Sequence, residues 1–97
     1  MSLKDLTHRS AVLKAINEYD QKGREAFLRE HGFGPARNYY LVYQGKSYDS
    51  KAIAGVAHGY QHPNLGPLRS SNFNGGENTV MARLKALGFE VIRKDTE

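Results

Sequence analysis

Val12, Ala15, Ile16 and Tyr19 recur at helical spacing, with Lys14, Asn17 and Glu18 turned to the other side. That period predicts an amphipathic helix running from a Thr7 cap to about Tyr19. Asp20-Gln21-Lys22-Gly23 interrupts the pattern. A second, shorter helix is expected from about Arg24 to His31, with Phe27 and Leu28 inward. Gly32 suits the left-handed position that ends a helix, and Phe33 would fold back on Leu28, the contact a Schellman cap makes. Gly34-Pro35 reinforces the stop. Leu84, Gly88 and Phe89 repeat the spacing of Leu28, Gly32 and Phe33, which we read as shared capping physics and not as a sequence repeat.

From Tyr39 the period changes to two. Tyr39 to Tyr43 is aromatic and β-branched, Gln44-Gly45 is a two-residue turn, and Lys46 to Asp49 returns as the second strand of a hairpin. In that register Leu41 faces Tyr48 and Tyr40 faces Asp49, so that Tyr39, Leu41, Tyr43, Lys46 and Tyr48 share one face. Ser50 or Asp49 would cap a third helix, Lys51 to His58, ended by Gly59. Its Ala-Ile-Ala-Gly-Val-Ala core predicts burial against the sheet. Residues 60–75 form a long connection rich in Gly, Pro, Ser and Asn, a kind of loop that tends to carry function. Glu77 to Leu87 is expected as a fourth helix with Val80, Met81, Leu84 and Leu87 inward, followed by a strand from Phe89 to Ile92. The order α-α-β-β-α-α-β predicts an α+β fold: a three-stranded, mainly antiparallel sheet covered by helices.

A chain of 97 residues is sized for a single domain. We place its core at about 7–93 and read 94–97 as a frayed tail. Hydrophobic residues make up 39% and charged residues 25%, which does not indicate disorder. No apolar run approaches the ~18 residues of a membrane span, and the first residues have no apolar segment suited to a secretion signal. Cysteine is absent, which excludes a disulfide framework and thiolate metal sites, and the cytoplasm is the expected location. The net charge of +4 is unevenly spread. Arg37, Lys46, Lys51, Arg69, Arg83 and Lys85 in residues 35–88 face only Asp49 and Glu77, so the excess lies in the middle and later part. With a pI near 9.5, that asymmetry favours a polyanionic partner.

Candidate chemistry is thin for an enzyme. His58 and His62 have i, i+4 spacing, but Gly59 and Pro63 argue against a continuous helix between them, and no carboxylate or thiolate lies near in sequence to complete a metal site. No serine sits in a Gly-x-Ser-x-Gly elbow. Asp49 is read as a cap or turn residue and Glu77 as a first-turn complement to the helix dipole, not as a catalytic pair. No catalytic residue, metal site or cofactor is therefore expected. Phosphate binding is better served. Ser70, Ser71, Asn72, Phe73, Asn74, Gly75, Gly76, Glu77, Asn78 and Thr79 lead into a helix start, where freed N–H groups suit a phosphate oxygen. The simpler alternative is that Asn74 or Gly76 only caps that helix. Ser50-Lys51 repeats the theme with an ammonium added. Five of the six tyrosines fall between 39 and 60, interleaved with Arg37, Lys46 and Lys51, a composition that suits stacking on or packing against nucleic acid.

The stretch Tyr40-Leu41-Val42-Tyr43-Gln44-Gly45-Lys46-Ser47-Tyr48-Asp49-Ser50-Lys51-Ala52-Ile53 carries a resemblance. So do Glu25-Ala26-Phe27-Leu28, Phe73-Asn74-Gly75-Gly76-Glu77-Asn78-Thr79-Val80 and Leu87-Gly88-Phe89-Glu90-Val91. Over roughly residues 9 to 92 the chain resembles the N-terminal head domain of McrA-type, modification-dependent HNH restriction endonucleases of bacteria. The Tyr-Asp-Ser-Lys-Ala-Ile stretch is the most specific part. The resemblance implies recognition of double-stranded DNA, including DNA with 5-methylcytosine, for a nuclease domain or subunit that cuts. The His-Asn-His nuclease half is missing from this chain, so cleavage is not assigned to it. The expected DNA contacts are Arg37, Tyr39, Lys46, Tyr48, Ser50, Lys51, Arg69, Ser70, Ser71, Asn72, Gly76 and Asn78. The competing expectation is a protein-interaction module that docks through the apolar third helix and the tyrosine-rich hairpin.

Overall fold

The computed structural model describes residues 3–36, 38–69, 73 and 77–93. A single 3₁₀ turn, Leu3–Asp5, leads into α1 (Arg9–Lys22), α2 (Arg24–His31), the hairpin β1 (Tyr39–Tyr43) and β2 (Lys46–Asp49), and α3 (Ser50–Gln61). A π-helical turn, Glu77–Met81, then runs into α4 (Ala82–Ala86) and β3 (Glu90–Arg93). β1 is the central strand and pairs antiparallel with both neighbours. The expected α+β class, element order and antiparallel sheet are all present.

The hairpin has the register expected of it: Leu41 opposite Tyr48 and Tyr40 opposite Asp49. Gln44 and Gly45 both have positive φ, 49° and 79°, the backbone of the turn whose twist matches a two-residue hairpin. Leu41 also faces Val91 on the other side, so these three buried residues make the core-facing row of the sheet. The two Schellman caps form as a matched pair. Phe33 N–H donates to Leu28 O at 2.9 Å and Phe89 N–H to Leu84 O at 3.0 Å, with Gly32 and Gly88 at φ 73° and 89°. Both returning phenylalanines are buried, so each cap also delivers a core side chain.

Several sequence expectations need correction. Thr7 does not cap α1. The Gln61 carboxamide oxygen accepts the N–H groups of Thr7 and His8 at 2.8 and 2.9 Å, and the Thr7 hydroxyl accepts from Gln61 Nε2 at 2.7 Å. α1 accordingly starts at Arg9 and continues to Lys22. Gly59 does not end α3, which runs to Gln61 and makes a continuous helical path between His58 and His62. Gly59 is small because the chain crosses it: a Cβ there would lie 2.6 Å from Pro67 N. α3 is buried chiefly along α1, with the sheet as a lesser neighbour. The final strand begins at Glu90 and not Phe89, since Phe89 is used by the cap. Leu3 and Leu6 join the core at the N-terminal end.

Glu18, expected on the outer face of α1, is largely sheltered and joins three helices. Its carboxylate accepts from His31 Nε2 at 2.6 Å, the Tyr60 hydroxyl at 2.6 Å and Lys22 Nζ at 2.9 Å. Burial by itself would raise the carboxyl; the His31, Tyr60 and Lys22 contacts outweigh it and pull the group from an ordinary 4.5 to about 2. A depressed carboxyl stabilises the fold fully above its unfolded value and loses that contribution as the pH falls from there toward the folded value. We therefore expect Glu18 to contribute up to about 3 kcal/mol near neutral pH, lost between pH ~4.5 and ~2. Urea midpoints for the wild type and Glu18→Gln should converge across that window; curves that stay parallel would contradict this role.

Candidate nucleic-acid interface

Asp49 sits where β2 becomes α3 and is 2% exposed. Its backbone occupies the N-cap position, but its side chain caps nothing. Instead its two oxygens take four donors: Tyr19 Oη at 2.6 Å, Arg24 Nε and Nη2 each at 2.9 Å, and Ala36 N at 2.8 Å. Burial opposes the charge, but the Arg24 guanidinium, then the Ala36 N–H and Tyr19 hydroxyl, hold this carboxyl below the usual range. Burial and then the Asp49 anion in turn push the Tyr19 phenol up. The Tyr40 hydroxyl donates to Ala36 O at 2.8 Å, and the Ser50 hydroxyl to Tyr39 O at 2.9 Å. Both polar groups of the Ala36 backbone are thereby fixed, along with the entry to β1.

Those bonds shape a cleft of about 220 Å³ between the Gly34–Ala36 segment, Asn38–Tyr39 and the first turn of α3. Among the described lining residues, Lys51 is the cation. The Lys51 ammonium lies 5.2 Å from the centre of the Phe73 ring, and Phe73 packs edge-on to Phe33 at 6.3 Å. The site therefore has a positive group at a helix N-terminus, an aromatic flank, and a rim pinned from below by Asp49.

The expected contact residues divide into groups. Lys51 and Tyr39 line this cleft, Tyr39 half-buried. Ser50 and Tyr48 are each 2% exposed, with hydroxyls already donating to Tyr39 O and to Asp20 Oδ1 at 2.9 Å, so they brace the site and do not face solvent. Burial and the Asp20 carboxylate push the Tyr48 phenol up to about 12. Lys46 is apart: it lies at the turn end of the hairpin, 3.9 Å from Asp20 Oδ1, about 10 Å of strand away from the Lys51 end. Arg69 is exposed and lines a neighbouring cleft. Asn78 lies in the π-helical turn by its backbone. Arg37, Ser70, Ser71, Asn72 and Gly76 lie outside the described residues.

Sequence reasoning missed Gly34, Pro35, Ala36 and Asn38 as lining residues. Gly34-Pro35 signalled only a helix stop, and nothing local announces that a carboxylate 13 residues on will hold Ala36 N. His58 and His62 do come close, with ring centres 4.9 Å apart, but no group of three or more potential metal ligands forms among the described residues. α3, expected as a possible docking face, is core: Ala52 to His58 are all buried. Among the described residues no helix is long and apolar enough to cross a membrane.

The family described as the ScoMcrA-like N-terminal head domain matches residues 4–93. A solved structure titled as the Type IV phosphorothioation-dependent restriction endonuclease ScoMcrA is similar, with 36% identity and a TM-score of 0.66. The match covers 92% of this chain but 13% of that one, so the chain spans about an eighth of the endonuclease's length. No curated protein matches.

Arg24 supplies the countercharge for a carboxylate that cannot reach water. Arg24→Met should destabilise the fold by about 3 kcal/mol or more in urea at neutral pH, because it leaves that charge buried and unpaired. A loss below about 1 kcal/mol, the level of an ordinary surface pair, would show that Asp49 does not depend on it.

Proposed function

We propose a function for this chain from one premise: it belongs to the family of ScoMcrA-like N-terminal head domains. The chain is a double-stranded DNA-binding module of a modification-dependent restriction endonuclease, without catalysis of its own, and cutting belongs to a nuclease domain or subunit. The observation that carries this reading is the Lys51 cleft. It sets an ammonium, the amide end of a twelve-residue helix and the Asn38–Tyr39 rim around one open space. That combination suits a phosphate of the DNA backbone, which Lys51 would pair as a point charge.

The mark on the DNA is the finer part of the proposal. A 5-methylcytosine adds apolar surface in the major groove, and the half-buried Tyr39 is the side chain at this rim suited to meet it. Such a contact would discriminate by about 1–3 kcal/mol at most. The mark named for the matched endonuclease, phosphorothioation, instead changes the backbone and would meet Lys51 directly. The protein-docking alternative draws no support from α3, which the protein itself covers.

Mobility-shift titration with unmodified, 5-methylated and phosphorothioated duplexes at two salt concentrations tests the reading. Binding should weaken steeply with salt, and Lys51→Ala should weaken the unmodified and 5-methylated duplexes alike. A methyl preference that Tyr39→Ala abolishes would assign base reading to this chain. Equal binding to all three would confine the chain to backbone contact. No shift at micromolar protein and low salt would refute DNA binding.

A further inference from the structure

The Lys51 cleft carries one more group suited to recognition. Gly34, Pro35, Ala36 and Ala52 bring no polar side chain to its lining. Asp49 and Ser50 turn theirs to bonds within the fold. Tyr39 is half-buried and offers a single hydroxyl. Asn38 differs from all of these. It is exposed at the rim, and among the described lining residues it alone carries a carboxamide, with a donor and an acceptor side by side on one flat group. Among the described residues, no hydrogen bond or ion pair engages that side chain.

Reading a base with two hydrogen bonds needs a backbone held in place. Asn38 lies between two anchored residues. Two positions before it, Ala36 N–H donates to Asp49 Oδ2 at 2.8 Å and Ala36 O accepts from the Tyr40 hydroxyl at 2.8 Å. One position after it, Tyr39 O accepts from Ser50 Oγ at 2.9 Å, and Tyr39 pairs with Arg93 in the sheet. Asp49 and Ser50 are each 2% exposed, and they lead directly into Lys51. The two residues that tie down the Asn38 segment therefore also place the ammonium. The spacing between carboxamide and cation is set by one buried junction.

We propose that Asn38 is the specificity-determining residue of this cleft, and that it reads the major-groove edge of an adenine beside the phosphate held at Lys51. An adenine edge presents an acceptor at N7 and a donor at N6, which a carboxamide meets with two parallel bonds. Guanine presents two acceptors there, cytosine a donor and thymine an acceptor, so none of them satisfies both halves of the amide. This rests on the duplex-binding reading and deepens it, because a phosphate contact positions the chain but carries no sequence information. Asn38 has no place in the contact set expected from sequence.

The test selects unmodified duplexes of randomised sequence with the wild type, Asn38→Ala and Lys51→Ala, and measures each salt slope by fluorescence anisotropy. The wild type should prefer adenine at one position by about 5- to 150-fold in affinity. Asn38→Ala should lose that preference and keep the wild-type salt slope, whereas Lys51→Ala should keep the preference and become shallower by about 1. Asn38→Asp, close to the same shape but without the amide donor, should also lose adenine. Far-UV circular dichroism checks that each variant folds. If the wild type binds duplex without preferring adenine, or Asn38→Ala keeps the wild-type preference, the adenine assignment is refuted and the duplex reading stands. A loss by Asn38→Ala that is equal for every sequence, with a shallower salt slope, refutes it too, since that is the mark of a phosphate contact. If the wild type binds no duplex at micromolar protein and low salt, the duplex reading fails and the adenine assignment falls with it.

Discussion

A single buried carboxylate organises this fold. Asp49 lies at the junction of the hairpin and α3, and its four donors come from α1, α2 and the segment leading into β1. An anion with 2% exposure survives there only because every lone pair is met and a guanidinium lies alongside. The consequence reaches the surface. With Ala36 N held by Asp49 and Ala36 O by Tyr40, the rim of the Lys51 cleft is determined by the interior.

Other carboxylates are built into the fold in the same way. Asp49 is spent on Arg24, Glu18 on His31, Tyr60 and Lys22, and Glu30 on Lys22. These carboxylates are drawn into structural bonds around α1 and α2. Lys51 lines the cleft beside the segment from Gly34 to Ala36.

Much of the architecture was legible because it rests on local rules. The hairpin register follows from Gln44-Gly45 and strict alternation, and both Schellman caps follow from a Leu-to-Gly-Phe spacing. Long-range partners were not legible. Gln61 reaches back 54 residues to Thr7 and so displaces the cap that Thr7 itself suggests. Gly59 reads as a helix stop until the crossing of Pro67 is seen. For the site, Lys51 and Tyr39 were identifiable from the basic and aromatic pattern, and the family resemblance placed DNA as the partner. Tyr48 and Ser50 belong to the same motif but turn inward, because period-two alternation and the Asp49 junction bury them.

The proposed DNA face centres on the cleft between Gly34–Ala36, Asn38–Tyr39 and the first turn of α3, which carries Lys51. Titrating the isotopically labelled protein with duplex DNA and following its backbone amide resonances tests this most directly. Shifts should concentrate at Gly34–Ala36, Asn38–Tyr39 and Ser50–Ala52, with the hairpin turn at Gln44–Lys46 unmoved. Shifts centred on that turn, with the Gly34–Ala36 segment silent, would contradict it.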